Sequence, residues 1–218
     1  MENQYKALLL ISSGIDSPVA GYSALKRGIQ IDVIHFSNNR NDDTNNISLE
    51  KVKKLVRRLN ELNPTKNTIK LIKAEHFTSQ QAFKEKCNNK YQCVFCKRMM
   101  VRVAGKYAEK NGYDFLIMGD NLAQVASQTL ENLAITSSIT NTPILRPLVT
   151  YDKNDIIRIA EDIETFEISK EKESRCPFLP SSPVTKARDY QIKKEEAKVD
   201  IDSITEESLK SIKIVEIQ

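Results

Sequence analysis

The sequence lacks any apolar run that approaches the ~20 residues needed to span a bilayer. Its longest strongly apolar stretch is the run ALLLI at residues 7–11. The start of the chain, MENQYK, also lacks the form of a signal peptide, because Glu2 stands early and no small-residue cleavage site follows. We therefore expect a cytoplasmic protein that does not act in a membrane.

The chain is also poor in cysteine, histidine and net charge. Four cysteines among 218 residues argue against a disulfide framework in a cytoplasmic protein and favour metal binding or catalysis. The two histidines, His35 and His76, receive no catalytic role. A net charge of +4 is weaker than the charge typical of a dedicated nucleic-acid-binding domain. A hydrophobic fraction of 40% permits a sizeable core and excludes disorder of the whole chain.

Short apolar runs alternate with amphipathic segments along the chain. The pattern predicts strands at residues 7–11, 31–36, 68–72 and 114–118. It predicts helices at residues 17–27, 48–62, 78–86, 96–111, 124–133 and 152–162. This order predicts an α/β fold with a doubly wound parallel sheet, in which ligands bind beyond the carboxyl ends of the strands. Residues 167–183 are expected to be irregular.

A loop of small residues, SSGIDS, connects the first predicted strand to the first helix at residues 12–17. Small residues let backbone N–H groups approach an anion, and the helix N-terminus adds partial positive charge. The loop is not a Walker A loop, because no Gly-Lys-Ser/Thr follows. Asp16 inside such a loop is a candidate ligand for the Mg²⁺ of a nucleotide. The alternative is a capped turn in a fold that binds no nucleotide.

Three of the cysteines form a pattern of their own. Cys93 and Cys96 make a CxxC motif at the start of a predicted helix, and Cys176 follows 80 residues later. The motif is compatible with a redox dithiol, with half a zinc site or with part of an iron–sulfur site. Three thiolates leave one coordination position open, which suits chemistry better than a structural role. Cys87 stands apart and is interpreted as a free thiol.

The motifs resemble a known family. SxGxDS after a buried strand resembles the loop of the PP-loop ATP pyrophosphatases, with Ser13 where the usual SGGxDS form has glycine. Ser13 would weaken pyrophosphate binding if its position requires a positive φ. Five segments in the expected order resemble the tRNA 4-thiouridine synthetase family, ThiI: DSPVAGY, GDNLAQVASQTLENL, TPILRPL, YDKNDII and TFEIS. Together they cover roughly residues 6–186.

The resemblance implies a PP-loop fold of the adenine nucleotide alpha hydrolase-like (HUP) type and a two-step reaction. ATP with Mg²⁺ adenylates the C4 oxygen of a uracil in tRNA, and a sulfur nucleophile then displaces AMP. The expected catalytic residues are Asp16, Asp120 and Cys176, with Asp16 also holding Mg²⁺. The expected ATP-binding residues are Ser12, Ser13, Gly14, Asp16, Ser17, Phe36, Gly119, Gln124 and Gln128.

Some polar side chains remain open to two interpretations. Helical spacing would place Gln124, Gln128 and Glu131 on one polar face near the nucleotide and base, or on a solvated face that Asp120 caps. Arg146 lies between two prolines, where it would meet phosphate or form a structural ion pair. A basic stripe at i, i+4 and i+8 either tracks tRNA phosphates or is solvated: Arg98, Arg102 and Lys106. A second basic cluster is interpreted as solvated: Lys51, Lys53, Lys54, Arg57 and Arg58.

For the cysteines, the resemblance implies the archaeal type of this family. In that type a CxxC pair joins a later cysteine to form the three-cysteine site of iron–sulfur-dependent thiolation enzymes. We therefore predict a 3Fe–4S or 4Fe–4S cluster held by Cys93, Cys96 and Cys176. Zinc at the same residues, or a cluster-free persulfide on Cys176, remains an alternative.

The expected organisation is a PP-loop domain at residues 1–187 and a charged extension at 188–218, without THUMP or rhodanese domains. On this expectation a separate THUMP-type protein brings the tRNA, sulfide or another sulfur donor is required, and a homodimer is possible. Two other functions stay open. One is adenylation of a small molecule or sulfur carrier, as in the thiamine thiazole pathway, and the other is a non-catalytic nucleotide-binding module.

Overall fold

The computed structural model describes residues 5–38, 47–122, 125–173 and 175–217. The strands within these residues are β1 (Lys6–Leu10), β2 (Gln30–Ser37), β3 (Leu71–Glu75), β4 (Phe115–Met118), β5 (Ile144–Leu145) and β6 (Lys213–Val215). They form one six-stranded sheet with the order β5-β4-β1-β2-β3-β6. All neighbours pair in parallel except β6, which runs antiparallel to β3.

Helices cover both faces of this sheet. They are α1 (Asp16–Leu25), α2 (Ile47–Glu61), α3 (Phe77–Lys86), α4 (Gln92–Asn111), α5 (Leu130–Ser137), α6 (Lys153–Asp162), α7 (Phe166–Lys170), α8 (Asp189–Glu196) and α9 (Ile201–Lys210). Short 3₁₀ turns lie at Asn89–Tyr91 and Ala126–Gln128. No helix in the described part of the chain is long and apolar enough to cross a membrane.

The two faces of the central strand β1 explain the layering. Leu8 and Leu10 pack into a core with α3, α4, α5, α8 and α9, whereas Ala7 and Leu9 pack into a core with α1, α2, α6 and α7. Alternate side chains of a strand point to opposite faces, so a strand buried on both sides is apolar throughout. The doubly wound α/β prediction is confirmed.

The third strand begins later than predicted. It was expected at residues 68–72, but β3 spans Leu71–Glu75. The Ile69 amide donates to the Asn60 side chain at 2.8 Å, and the Lys70 amide donates to the Asp32 side chain at 2.8 Å. These side chains take the N–H groups that a strand ladder would use, so regular pairing starts after them.

The helix predicted at residues 124–133 is wrong for residues 125–129, whereas residues 130–133 do lie in a helix, α5. The chain forms the 3₁₀ turn Ala126–Gln128, extends at Thr129, and then begins α5. The Thr129 side chain accepts a hydrogen bond from the Asn132 amide and so caps α5. Gln128 and Glu131 therefore share no helical face, and Glu131 pairs instead with Lys186 at 3.3 Å. Residues 167–183 also contain more order than expected, because α7 occupies their first turn.

The segment after Ala187 packs on the same core as the rest of the chain. It contributes α8, α9 and β6, with Ile192 fully buried and β6 hydrogen-bonded to β3. These helices cover the basic stripe of α4. Arg98 forms a two-pronged ion pair with Glu196, both bonds at 2.8 Å, and Arg102 lies 3.5 Å from the same carboxylate. Both expectations, that it tracks tRNA or faces solvent, are therefore wrong for the buried Arg98. Arg102 is mostly buried and pairs with Glu196.

The Arg98–Glu196 ion pair is a test of this packing. Both side chains are less than a tenth exposed, and removal of one partner from a buried pair costs about 3 kcal/mol or more. We expect Glu196→Ala to lower the free energy of unfolding by about that amount in chemical denaturation.

The matched control is Glu206→Ala, which removes an exposed ion pair between α9 and Lys106 of α4. An exposed pair contributes about 1 kcal/mol at most. Equal losses of stability in the two variants would contradict a stabilising role for the buried Arg98–Glu196 ion pair.

Candidate functional site

A cavity of about 330 Å³ opens at the carboxyl edge of the sheet, where β1 and β4 end side by side. Its walls come from the loop after β1, the first turns of α4, the segment after β4 and the chain around Cys176. Most of the predicted site residues line it: Ser12, Gly14, Asp16, Ser17, Cys93, Cys96, Gly119, Asp120, Gln128 and Cys176. The topology thus brings together residues that are far apart in sequence.

The loop at residues 12–17 is fixed by its own hydroxyl groups. The Ser12 amide donates to Ser17 Oγ at 2.9 Å, and the Ser17 hydroxyl donates back to the Ser12 carbonyl at 3.2 Å. The Gly14 amide donates to Ser12 Oγ at 3.3 Å. No side chain caps α1, whose preceding residue is Ile15. The first-turn N–H groups of α1 therefore lack a capping side chain and suit an anionic ligand.

Ser13 adopts an ordinary backbone conformation. Among the described non-glycine residues only Lys66 and Glu164 have a positive φ. The condition under which Ser13 would weaken the loop is therefore not met. The Ser13 side chain is not part of the cavity wall, although Ser12 and Gly14 on either side of it are.

Position 119 requires glycine for a steric reason that the sequence does not reveal. A Cβ at this position would lie 2.7 Å from the backbone nitrogen of Ser17 and 2.8 Å from the carbonyl carbon of Asp16. Backbone atoms cannot yield to such a contact, so only glycine lets the end of β4 approach the loop this closely.

Asp16 is held by a residue that the sequence analysis missed. Lys153, the first residue of α6, places its ammonium 2.5 Å from Asp16 Oδ1. The pair joins the loop to an element 137 residues away in sequence. Lys153 is the lysine of the segment YDKNDII, but its position in the sequence does not show which carboxylate it contacts.

Asp120 is a buried carboxylate between two cations. Lys97 lies 2.6 Å from Oδ1 and Arg146 3.0 Å from Oδ2. Burial alone would raise the pKa of Asp120, but the two cations outweigh burial and lower it. Asp120 caps no helix within the described residues, where the next helical turn begins at Ala126. Of the two interpretations of Arg146, the structure shows the ion pair, which it forms with Asp120. Its Nη2 is buried without a partner among the described residues.

The remaining predicted nucleotide contacts differ in placement. Gln128 lines the cavity, and its Oε1 is buried without a hydrogen-bond partner in the described part of the chain. Phe36 is buried, packs edge-on against His76 at 5.5 Å, and is not among the residues that line the cavity. Gln124 lies outside the described residues.

Cys93, Cys96 and Cys176 face the same cavity as the loop. Burial first, and then the nearby thiols of Cys176 and Cys93, raise the pKa of Cys96 to about 12. Burial and Cys176 likewise raise the pKa of Cys93. Cys87 lies elsewhere, with its thiol donating to the Glu195 carbonyl at 3.3 Å, which agrees with its interpretation as a free thiol.

His76 supports Cys96 from behind and was not expected to have a role. Its Nε2 lies 3.3 Å from Cys96 Sγ and also accepts from the Gln80 amide at 2.7 Å. Nδ1 lies 3.0 Å from the Ser79 hydroxyl. Burial lowers the pKa of His76 to about 3, so the ring is neutral and accepts hydrogen bonds at Nε2. The Gln92 amide in turn donates to Gln80 and ties this group to the start of α4.

The three cysteines predicted to hold an iron–sulfur cluster line one cavity, but their side chains are not close enough to bind one metal ion together. Across residues 5–38, 47–122, 125–173 and 175–217, no three side chains of His, Cys, Asp or Glu come close enough to hold a metal ion. The donor set nevertheless suits iron in its chemistry, since three thiols face one cavity.

Comparisons with known proteins agree with the motifs. The sequence model of a family described as "Thiamine biosynthesis protein (ThiI)" matches residues 2–201. A protein of Methanocaldococcus jannaschii, described as a probable tRNA sulfurtransferase, is 42% identical over 201 residues, which are 90% of this chain and 50% of that protein. The chain spans about half the length of the curated relatives it matches.

Solved structures give the same picture. The crystal structure of a 4-thiouridine synthetase–RNA complex with bound ATP is similar with a TM-score of 0.90 and 36% identity, covering 97% of this chain and 55% of that chain. NMN synthetase from Francisella tularensis shares the fold alone, with a TM-score of 0.54 and 16% identity over 95% of this chain and 82% of that one. The fold and the family resemblance expected from the sequence are confirmed.

The contact of Gly119 with the loop predicts a sharp steric effect. Gly119→Ala would force a methyl group into backbone atoms, and overpacking of this kind costs about 1–3 kcal/mol. We expect this loss in the free energy of unfolding, measured by chemical denaturation. Gly14→Ala is the control, because its Cβ would meet only Ser12 Oγ at an ordinary 3.5 Å. If the two variants are equally stable, the close approach is not a constraint.

Proposed function

The chain belongs to the family described as "Thiamine biosynthesis protein (ThiI)", and on that premise we propose that it is an ATP-dependent tRNA sulfurtransferase that forms 4-thiouridine. The observation that carries the proposal is the shared cavity. A loop suited to phosphate and three cysteines face one space, which is what a reaction that combines adenylation with sulfur transfer requires. The ATP and RNA in the structure of the similar 4-thiouridine synthetase support the choice of substrates.

In the first step, the C4 oxygen of the uracil attacks the α-phosphorus of ATP, and the bond to pyrophosphate breaks. The loop N–H groups and the N-terminus of α1 hold the phosphates in line for this attack. Lys97 lines the cavity, and both Lys97 and Arg146 contact the Asp120 carboxylate, so two cations meet one carboxylate at this wall. Such fixed charges stabilise the charge that develops on the transferred phosphate.

Asp16 suits Mg²⁺, although it stands alone. Magnesium is commonly held by one or two carboxylates together with substrate phosphates, and Asp16 lines the cavity beside the loop. Bound there, the ion would neutralise phosphate charge. Lys153 already pairs with this carboxylate, so an ion bound there would displace or share that contact.

In the second step, a sulfur nucleophile attacks C4, and the C4–O bond breaks as AMP leaves. Cys176 is the proposed sulfur-handling residue, since it is exposed at the cavity mouth. We also propose that Cys93, Cys96 and Cys176 hold an iron–sulfur cluster, which would present sulfide to the activated base. Zinc at these residues and a persulfide on Cys176 without a cluster are the alternative arrangements.

The tRNA contacts are proposed to lie outside the basic stripe of α4. Arg98 and Arg102 share the Glu196 carboxylate, and Arg98 is buried, so phosphates do not reach it. This supports delivery of the tRNA by a separate THUMP-type protein in the cytoplasm. A sulfur donor and a homodimer belong to the same proposal.

The function predicts which substitutions remove 4-thiouridine. In a strain that lacks the gene, we expect the normal protein to restore the nucleoside and Asp16→Asn and Cys176→Ser to reduce it by about 100-fold or more, because each removes a group that the reaction needs. The measurement is mass analysis of tRNA nucleosides. Cys87→Ser is the control and should restore normal levels, since Cys87 lies outside the cavity.

Normal 4-thiouridine with Cys176→Ser would contradict the assignment. Intact 4-thiouridine in the deletion strain, together with a thiamine requirement, would instead favour adenylation of a small molecule or sulfur carrier.

The cluster predicts iron and acid-labile sulfide in protein purified and reconstituted without oxygen. Cys93→Ser should lose both, and Cys87→Ser should keep both. Absence of iron and sulfide from the reconstituted normal protein would exclude the cluster and leave zinc or a persulfide.

A further inference from the structure

A second polar cluster lies on the side of the phosphate loop that faces α2. It joins Ser13 of the loop, Ser48 and Lys51 of α2, and Glu173 of the segment that follows α7. Ser48 Oγ lies 3.5 Å from Ser13 Oγ. None of these side chains belongs to the wall of the cavity, so the reaction proposed above leaves this cluster unexplained.

Lys51 is almost completely buried and is fully engaged. Its side chain is 4% exposed. The ammonium donates to the carbonyls of Ser169 and Glu171 at 3.0 Å each, and to the Glu173 carboxylate at 3.2 Å. The interpretation of Lys51 as a solvated residue is therefore wrong. A buried ammonium needs an anion beside it, and here the Glu173 carboxylate supplies the charge.

Glu173 is held as a phosphate oxygen would be held. Lys51 donates to its carboxylate at 3.2 Å, and the hydroxyls of Ser13 and Ser48 lie near it. Together these donors outweigh burial and lower the pKa of Glu173. Two hydroxyls and an ammonium are donors that bind carboxylate and phosphate oxygens alike. Glu173 also stands three residues before Cys176, so the cluster connects the loop at residues 12–17 to the segment that carries the proposed sulfur-handling residue.

His35 adds a further polar group at this place. It is 4% exposed, and its Nδ1 lies 3.2 Å from the carbonyl of Ile11, the residue before the loop. Its Nε2 is buried without a hydrogen-bond partner among the described residues. Glu173 is near enough to act on the ring electrostatically. Buried polar atoms usually have a hydrogen-bond partner, so the unpaired His35 nitrogen leaves a polar atom available near Glu173.

We infer that Ser13, Ser48 and Lys51 form an oxyanion subsite beside the phosphate loop, which the Glu173 carboxylate fills and for which a phosphate oxygen of the nucleotide competes. The inference rests on the proposed binding of ATP at the loop. Ser13 stands between two cavity-lining residues, so a triphosphate that lies across the loop reaches it. Two anions at the same three donors repel each other, and one must therefore leave.

The test is titration calorimetry of the whole protein with three probes: ATP, inorganic pyrophosphate and adenosine. Glu173→Gln keeps the size of the side chain and removes the competing charge. We expect it to bind ATP and pyrophosphate about fivefold to tenfold more tightly, because the competitor for charged hydrogen bonds is weakened. Adenosine carries no phosphate and should bind as it does to the normal protein.

Two further variants make the result specific. Glu171→Gln is the matched control, because the Glu171 carboxylate pairs with Lys54 on the exposed side of α2; it should bind all three probes normally. Ser48→Ala removes one donor of the subsite and should weaken pyrophosphate binding about threefold or more.

The outcomes separate the two proposals. If the normal protein binds ATP and Glu173→Gln binds ATP and pyrophosphate no more tightly, the subsite is overturned while the proposed function stands. If neither protein binds ATP, the proposed function falls and the subsite falls with it. Tighter binding of the phosphate-bearing probes alone, with Glu171→Gln unchanged, supports the subsite.

Discussion

The close approach of two parallel strand ends is the constraint on which the rest of the site depends. β1 and β4 are neighbours in the sheet, and Gly119 after β4 touches the backbone of Asp16 and Ser17 after β1. Because no side chain fits between them, the phosphate loop and the segment that carries Asp120 form one wall. Helix α4 packs beside that wall and places its cysteines against the same space. The candidate site therefore results from strand order and one glycine.

Paired charges hold the elements around this wall. Asp16 is tied to α6 by Lys153, Asp120 to α4 by Lys97, and Glu173 to α2 by Lys51. Each pair links a carboxylate near the cavity or the loop to a cation from another element. Such pairs set geometry more than they add stability, since desolvation offsets much of the Coulomb attraction. Cations already placed around a phosphate loop are also what a polyanionic ligand requires.

The parts that could be predicted are those in which the signal is local. The run at residues 7–11 and the loop SSGIDS identify a strand and the turn into the first helix because both patterns lie within a few residues. Thr129 broke a predicted helix because its hydroxyl caps the next one, and helical spacing does not report such competition. Arg98 and Lys51 were expected at the surface, but partners 98 and 122 residues away in sequence bury them. His76 gave no signal, since it meets Cys96 across a sequence separation of 20 residues that no local pattern reports.

The central claim is that nucleotide and sulfur chemistry share one cavity. It is tested most directly by the rate at which each cysteine is alkylated, measured by mass analysis of peptides from reduced, chelator-treated protein with and without ATP. The account predicts that ATP slows alkylation of Cys93 and Cys176, which line the cavity, and leaves Cys87, which does not line it, unchanged. Binding of ATP without any change at Cys93 and Cys176 would contradict the shared cavity.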